Sequence, residues 1–286
     1  MRDGTVLPDS QALHETMEEA KPMTATDVDA GLRIAREDHV AILTFDRPQA
    51  GNSLAPTTVT ALAQAWHDFA IDDDVWVVIV TGAGERFFCT GTDLKLTPPP
   101  AESFAATLLN DRGIRLTPPT TFTKPVIAAI NGMAIGGGLE IALASDLRIA
   151  ADTAQFGLSE VKVGSLAGQG GTQRLPRAIP QAMAMKMLLT GDRIDAVEAL
   201  RIGLVSDVYP PSSLREQALR LAARICQAAP LSVRAAKMAA IRGAGLPLDA
   251  GLELENQLWG SLRDTEDRRE GRTAFAEKRA PRWLGQ

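Results

Sequence analysis

Two apolar runs, each leading into a glycine-rich loop, place the strongest constraint on how this chain folds. Val75–Val80 (VWVVIV) precedes one such loop, and Val126–Ile130 (VIAAI) leads towards Gly136–Gly138. A strand without polar alternation needs cover on both faces, which is typical of parallel strands packed between other layers. Apolar residues at helical spacing between positions 56 and 69 predict a helix before the first run. Strands separated by helices predict an α/β fold.

The rest of the pattern divides the chain into three parts. Residues 1–30 are predicted to be an acidic, flexible extension, residues 31–208 the α/β core, and residues 209–286 a C-terminal helical region. Further strands are predicted at Leu32–Arg36, Val40–Phe45, Leu147–Ala150 and Val161–Val163. C-terminal helices are predicted at Ser213–Ala228, Leu231–Arg242, Leu248–Arg263 and Thr265–Lys278. Within positions 97–120, prolines at 98–100 and 118–119 bracket a helix-like stretch that is predicted to be a surface insert, and such inserts often form pocket walls.

Charge and cysteine content exclude several classes of protein. The formal net charge of −5 lies in residues 1–30, which hold seven acidic and two basic residues. No basic stripe is left to indicate nucleic-acid binding, and the leader resembles neither a secretory signal nor an Arg-rich transit peptide. Two cysteines and three histidines form no zinc-ligand spacing, so no metal is expected. So few cysteines are compatible with a reducing compartment, and the predicted location is the cytoplasm.

One segment is long and apolar enough to resemble a membrane span. Residues 125–145 (PVIAAINGMAIGGGLEIALAS) include Asn131, Glu140 and several glycines. A strand, a tight glycine turn and a buried helix explain this composition better than a bilayer helix. The chain is therefore expected not to cross or bind a membrane.

Two glycine turns could expose backbone amides to a ligand. Gly91 precedes Thr92 and Asp93, where Asp93 could cap a short helix, and Gly136–Gly138 stands at a helix start. Amides at a helix N-terminus can hold a developing oxyanion, and glycine lets a ligand approach them. From the residues alone, these glycines could equally serve only to make tight strand-to-helix turns.

Two carboxylates are notable for their apolar surroundings. Glu140 lies one turn into the helix that follows Gly136–Gly138, and Glu160 precedes Val161. Burial would raise the pKa of each carboxyl group towards values useful for general acid–base catalysis. The alternatives left open are a structural hydrogen bond or ion pair for Glu140 and a solvated loop position for Glu160.

Five blocks together resemble the enoyl-CoA hydratase/isomerase (crotonase) family, in family order and with family-like spacing over roughly residues 30–284. They are FCTGTDLK (88–95), NGMAIGGGLE (131–140), AQFGLSE (154–160), GGTQRLP (170–176) and FAEKR (275–279). This resemblance implies a crotonase-like spiral of ββα repeats with a C-terminal helical region for oligomerisation, as a homotrimer or a dimer of trimers.

The resemblance also implies a role for particular residues. The backbone amides of Thr92 and Gly137 would form an oxyanion hole for the thioester carbonyl of an acyl-CoA. Glu140 would act as the main base on water and Glu160 as the acid that protonates the α-carbon, while Gly168 offers a backbone contact to that water. The positions expected to bind the substrate are Thr92, Asp93, Leu94, Lys95, Gly137, Gly168, Phe275 and Lys278. Of these, the stretch 92–95 would contact coenzyme A, and Phe275 and Lys278 would reach the coenzyme A of a neighbouring subunit. No cofactor is implied, because coenzyme A is part of the substrate.

The activity implied is reversible syn hydration of a 2-enoyl-CoA to a 3-hydroxyacyl-CoA. A double-bond isomerase is the first alternative, but one carboxylate suffices for that reaction and both are present. A dienoyl isomerase would want an acid where Gly168 stands, and histidine-dependent relatives are disfavoured because no histidine follows residue 67. A low-activity acyl-CoA-binding homologue is the third possibility. Gln169 departs from the usual family pattern and indicates either a polar or branched acyl group or a side chain in solvent.

Overall fold

A computed structural model describes residues 26–28, 30–97 and 116–286, with side chains from residue 30 onwards. The described strands form two sheets. The strands are β1 Thr26–Val28, β2 Leu32–Glu37, β3 Val40–Phe45, β4 Val77–Gly82, β5 Phe87–Cys89, β6 Val126–Ile130, β7 Met133–Ile135, β8 Leu147–Ala151, β9 Gln155–Gly157, β10 Ile194–Asp195 and β11 Asp207–Tyr209.

The larger sheet has the order β1-β2-β3-β4-β6-β8-β11, in which β1 to β3 are antiparallel and the remaining neighbours are parallel. The smaller sheet has the order β10-β9-β7-β5.

Nine α-helices occur among these described residues. They are α1 Pro56–Ile71, α2 Gly137–Ala144, α3 Gly171–Ala178, α4 Gln181–Thr190, α5 Ala196–Arg201, α6 Pro211–Cys226, α7 Pro230–Gly243, α8 Leu248–Ser261 and α9 Glu266–Glu277. None of them combines the length and the apolar character needed to cross a bilayer.

Consecutive strands alternate between the two sheets, and this alternation generates a spiral. The pairs β4 and β5, β6 and β7, and β8 and β9 each place their first strand in the larger sheet and their second in the smaller one. Helix α2 follows the second pair and α3 follows the third. The α/β prediction is confirmed, and the repeat is the ββα unit that the sequence motifs imply.

Strand β4 shows why its sequence has no polar alternation. Val78 and Val80 belong to the core between the sheets, whereas Val77 and Ile79 pack against the opposite layer. Helix α6 supplies that layer through Leu214, Ala218 and Ala222. Both faces of the strand are thus buried, as expected for a parallel strand in an α/β fold.

Most predicted elements lie where expected, but one strand was wrong. Residues 161–163 form part of a 3₁₀ turn, Glu160–Val163, which Gly164 closes in the left-handed conformation (φ 76°). Val161 and Val163 are exposed, so their apolar character does not reflect a place in a sheet. The segment therefore acts as a connector between β9 and the loop before α3.

Two secondary-structure elements lie near the predicted boundaries between the three parts of the chain. Strand β1 pairs with β2, so the sheet begins a few residues before position 31. Helix α6 packs on the main sheet, although the predicted boundary assigned it to the C-terminal part. The division into three parts itself stays a prediction. Residues 1–25, 29 and 98–115 lie outside the described residues, and with them most of the predicted extension and most of the predicted insert at 97–120.

Candidate active site

Helix α2 places one predicted carboxylate inside the protein. The helix begins at Gly137, directly after the smaller sheet's β7, and Glu140 lies in its first turn with only 3% of its surface exposed. Its Oε1 accepts hydrogen bonds from the backbone N–H groups of Gln169 (2.7 Å) and Gly171 (2.8 Å). Two amide donors on one oxygen favour the ionised form of this carboxylate.

The pKa of Glu140 nevertheless lies above its ordinary value. Burial is the main cause, and the nearby Glu160 carboxylate adds to it. The amides of Gly171 and Gln169, together with the positive charge of Arg174, act in the opposite direction. A carboxylate whose pKa is raised by burial, and which amide donors hold in place, is suited to accepting a proton from water.

The 3₁₀ turn carries the second carboxylate to the start of α2. A methyl group added to Gly136 would lie 3.2 Å from Glu160 Oε1, so this carboxylate borders the glycine turn directly. Its Oε2 is buried and has no hydrogen-bond partner among the described residues. Burial raises the pKa of Glu160. A buried oxygen without a donor favours the protonated acid, whereas Glu140 Oε1 has two amide donors, so the two carboxylates differ in how far hydrogen bonds offset their burial.

The predicted oxyanion amides lie beside each other. Gly91 adopts φ +82°, and a methyl group added there would lie 2.9 Å from the Gly137 nitrogen. Leu54 forms an isolated parallel bridge with Thr92. The Leu54 N–H donates to the Gly91 carbonyl (2.8 Å), and the Asp93 N–H donates to the Leu54 carbonyl (3.0 Å). In such a bridge the N–H of Thr92 points away from Leu54. The Gly137 N–H is among the first amides of α2, which have no partner within the helix.

Glycine is required where α2 meets strand β5. A methyl group on Gly138 would lie 2.0 Å from the carbonyl oxygen of Cys89. The close approach brings the β5 end and the start of α2 together, and with them the two amides. Burial raises the pKa of the Cys89 thiol to about 12, so this cysteine is a neutral packing residue rather than a nucleophile.

The residues expected to contact coenzyme A follow Thr92 in an exposed turn. Leu94 and Lys95 are exposed, whereas the Asp93 side chain is used within the protein. Asp93 Oδ2 pairs with Arg47 (3.0 Å) and accepts from Ser53, while Oδ1 accepts from the Lys95 and Leu96 amides. Asp93 thus caps this turn, as the sequence suggested, but any continuing helix would lie outside the described residues.

The remaining predicted positions are divided between the loop and the C-terminus. Gly168 is exposed in the loop before α3, next to Gln169. Phe275 lies on α9 with 87% of its surface exposed, and Lys278 caps that helix in the left-handed conformation (φ 56°). Within the described residues, no cluster of His, Cys, Asp or Glu side chains could hold a metal ion.

Two backbone amides and two side chains that contribute to the site were missed from the sequence. The amides of Gln169 and Gly171 hold Glu140 rather than serving only as a glycine-rich turn. Leu116 covers Gly137: its Cδ1 lies 3.0 Å from where a Gly137 methyl group would be. The half-buried Arg174 donates to the Gln169 carbonyl (2.9 Å). Backbone donors leave no side-chain signal, so only the glycine pattern could have indicated the first two.

Comparisons with known proteins show what this chain is similar to. Residues 35–286 match the family described as enoyl-CoA hydratase/isomerase. The chain is 58% identical over 248 residues to an (E)-benzylidenesuccinyl-CoA hydratase from Thauera aromatica, covering 87% of this chain and 96% of that protein. It is 41% identical over 255 residues to a 2,3-dehydroadipyl-CoA hydratase from Escherichia coli K12, covering 89% and 98%.

A solved structure shows the same architecture. The crystal structure of an enoyl-CoA hydratase from Bacillus anthracis matches with a TM-score of 0.83 at 38% identity, covering 90% of this chain and 100% of that one. The spiral fold expected from the motifs is therefore confirmed, with the C-terminal helices in place.

Proposed function

This chain belongs to the enoyl-CoA hydratase/isomerase family, and we propose that it catalyses the reversible syn hydration of a 2-enoyl-CoA thioester to a 3-hydroxyacyl-CoA. The observation that carries the proposal is the pair Glu140 and Glu160 at one glycine turn. The first accepts two amide donors, and the second has a buried, unpartnered oxygen. Hydration needs both a base and an acid, which this pair supplies.

The proposed reaction starts at the thioester carbonyl. The N–H groups of Thr92 and Gly137 bind that oxygen and stabilise the enolate that develops on it. Removing one such donor from an enzyme typically lowers kcat by about 10²–10³. Both donors belong to the backbone, so the threonine side chain at position 92 does not decide the chemistry.

Water then adds across the double bond. The ionised Glu140 accepts a proton from water as the water oxygen forms a bond to C3 and the C2=C3 electrons move into the enolate. The protonated Glu160 gives its proton to C2 as the enolate collapses. The cycle ends with Glu140 protonated and Glu160 ionised, and proton exchange restores the starting pair. Both carboxylates border one glycine turn, which supports addition on a single face.

Further expectations accompany this proposal, on coenzyme A binding, assembly, cofactors and location. The turn Thr92–Lys95, with Phe275 and Lys278 of a neighbouring subunit, would bind coenzyme A in a homotrimer or a dimer of trimers. No cofactor is needed. The unpaired Cys89 and Cys226 support a reducing compartment, in keeping with the proposed cytoplasmic location.

The direct test follows the absorbance of the conjugated thioester. Purified protein is mixed with crotonyl-CoA, cinnamoyl-CoA and (E)-benzylidenesuccinyl-CoA, alongside Glu140→Gln and Glu160→Gln. We expect conjugation to be lost with at least one thioester, with kcat roughly 10²–10⁴-fold lower in each variant. Tight binding of all three without any hydration would contradict the proposal. It would favour an isomerase, in which one carboxylate shuttles a proton, or a binding protein.

A further inference from the structure

Gln169 lies between the catalytic carboxylate and the wall of the acyl pocket. Its backbone N–H donates to Glu140 Oε1 at 2.7 Å. Its side-chain Oε1 accepts from the Leu116 N–H at 3.3 Å. Leu116 in turn packs over Gly137, one of the two oxyanion residues. Gln169 therefore borders the base through its backbone, and through its carboxamide it borders the residue that covers the oxyanion glycine.

The Leu116 contact fixes the orientation of the Gln169 carboxamide. A backbone N–H can only donate, so the oxygen of the amide group must face Leu116 and the NH₂ group must face away. That Nε2 has no hydrogen-bond acceptor among the residues described. The Leu116 carbonyl is held separately by Trp66 Nε1 (3.4 Å), so the wall to which Gln169 binds is itself anchored.

The loop around Gln169 is also rigid. Arg174 Nη1 donates to the Gln169 carbonyl at 2.9 Å, and Gly170 adopts φ +106° beneath that guanidinium. A methyl group at Gly170 would lie 1.9 Å from Arg174 Nη1. The backbone of Gln169 thus has little freedom, and its side chain starts from a fixed position.

A cationic side chain lies on one side of Gln169 and the Glu140 carboxylate lies on the other. Arg174 is half-buried and forms no salt bridge within the part of the chain that the structure describes. Its charge acts on Glu140 only at longer range. A half-buried guanidinium beside an amide donor without an acceptor is an environment that favours an anionic oxygen.

The names of two similar proteins point to the same ligand chemistry. One acts on a benzylidenesuccinyl thioester and the other on a dehydroadipyl thioester. Both acyl groups derive from dicarboxylic acids, so each thioester keeps a second, free carboxylate.

We propose that Gln169 is a specificity-determining residue whose Nε2 donates to a second carboxylate of the acyl group, close to the reacting carbons. This inference rests on the proposed function, since it assigns the substrate class of that same site. The site then prefers thioesters that carry a carboxylate branch over neutral thioesters of the same size. Arg174 adds favourable long-range charge without needing to touch the ligand.

Two saturated thioesters test this preference without turnover. Succinyl-CoA and butyryl-CoA share a four-carbon acyl chain and differ in the terminal carboxylate, so their dissociation constants isolate its contribution. By calorimetry we expect wild type to bind succinyl-CoA at least tenfold more tightly. Gln169→Ala and Gln169→Met should lose most of this difference, because a hydrogen bond to a charged group typically accounts for roughly 10- to 100-fold. Butyryl-CoA affinity should change less than threefold in both.

Matched controls separate recognition from general damage. Gln173→Ala removes an exposed glutamine from the same segment and should keep the wild-type preference. The inference is wrong if wild type shows no preference, if the preference survives in both Gln169 variants, or if both ligands weaken equally. Gln169→Met preserves the side-chain volume in case the alanine variant folds poorly. A preference for succinyl-CoA in a protein that hydrates none of the enoyl thioesters would contradict the proposed function while leaving this inference intact.

Discussion

Glu140 and Glu160 are chemically alike but are treated differently by their surroundings. Glu140 has amide donors that partly offset its burial, whereas Glu160 Oε2 has burial without a donor. A buried carboxylate oxygen without a hydrogen-bond donor lowers the free energy of unfolding whenever the carboxylate is ionised. A side chain that costs stability at the glycine turn is characteristic of an active site, where activity and stability often trade off.

This difference predicts a gain in stability when Glu160 is replaced. Burial raises the pKa of the Glu160 carboxyl group in the folded protein. As pH rises, the unfolded chain therefore loses the carboxyl proton first. The free energy of unfolding then falls with pH until the raised pKa of the folded protein is passed. Glu160→Gln removes that loss, and we expect a free energy of unfolding about 0.5–2 kcal/mol higher at pH 8.5. The gain should disappear at acid pH, where both side chains are neutral.

Urea unfolding across pH checks this expectation, with activity measured in parallel. Glu253→Gln, on an exposed position of α8, serves as the control and should change stability little at any pH. A Glu160→Gln protein that is equally or less stable than wild type at pH 8.5 would show that its carboxylate has a partner that favours the ionised form.

At the scale of elements, the site depends on how closely β5 approaches α2. Gly91 and Gly138 lie at this contact, and each would place a methyl group within 3 Å of backbone atoms of the other element. The approach keeps the Thr92 and Gly137 amides side by side. It also explains why small residues recur in segments that otherwise look like ordinary turns.

Gly91→Ala tests this contact. The new methyl group would lie 2.9 Å from the Gly137 nitrogen, so we expect the amide to be displaced and kcat/KM to fall about 10²–10³-fold, as when one oxyanion donor is lost. Gly203→Ala is the matched control: Gly203 has nearly the same φ (+78°) with nothing within 4 Å of the added carbon. Both variants should lose about 1–2 kcal/mol of stability from left-handed strain. Equal activity in the two variants would contradict this role for Gly91.

Local sequence predicted the long elements well and the short ones poorly. β3 and β6 match their predicted bounds because their apolar runs are continuous, and Pro56 correctly begins α1. The three-residue strands β7 and β9 were not predicted, since they carry too few residues to show a period. Glu160 was predicted to be a site residue and lies beside the glycine turn, but its neighbours were wrongly assigned to a strand. The amides that hold Glu140 depend on tertiary approach, which no local pattern reveals.

At the scale of the whole molecule, the C-terminal residues tie the last helix to the body. Asp267 is buried and accepts hydrogen bonds from the Leu284 (2.7 Å) and Gly285 (3.0 Å) amides. Trp283 Nε1 donates to the carbonyl of Gln227, at the end of α6 (2.8 Å). These bonds hold α9, and with it the exposed Phe275, in a fixed direction. An aromatic side chain fixed on the surface is suited to contact a second molecule rather than its own core.

The helical hairpin α7–α8 carries the apolar surface that predicts self-association. Ala235, Leu252 and Trp259 line an open groove of about 610 Å³ between the two helices, and Leu248 and Leu252 are largely exposed. A contiguous exposed apolar surface of this kind marks an interaction site, and family resemblance makes a second copy its expected partner. We therefore expect light scattering with size exclusion to show a trimer or a dimer of trimers.

Leu252→Glu should shift that assembly to smaller species at micromolar concentration, because a buried, unpaired carboxylate would replace apolar contact at the interface. Glu253→Lys alters charge on the adjacent, exposed position outside the groove and should leave the assembly unchanged. If coenzyme A is bound partly by Phe275 and Lys278 of a neighbour, dissociation should raise KM for the thioester more than it lowers kcat. A monomeric wild type, or a dissociated Leu252→Glu protein with unchanged KM, would contradict binding across subunits while leaving the roles of Glu140 and Glu160 intact.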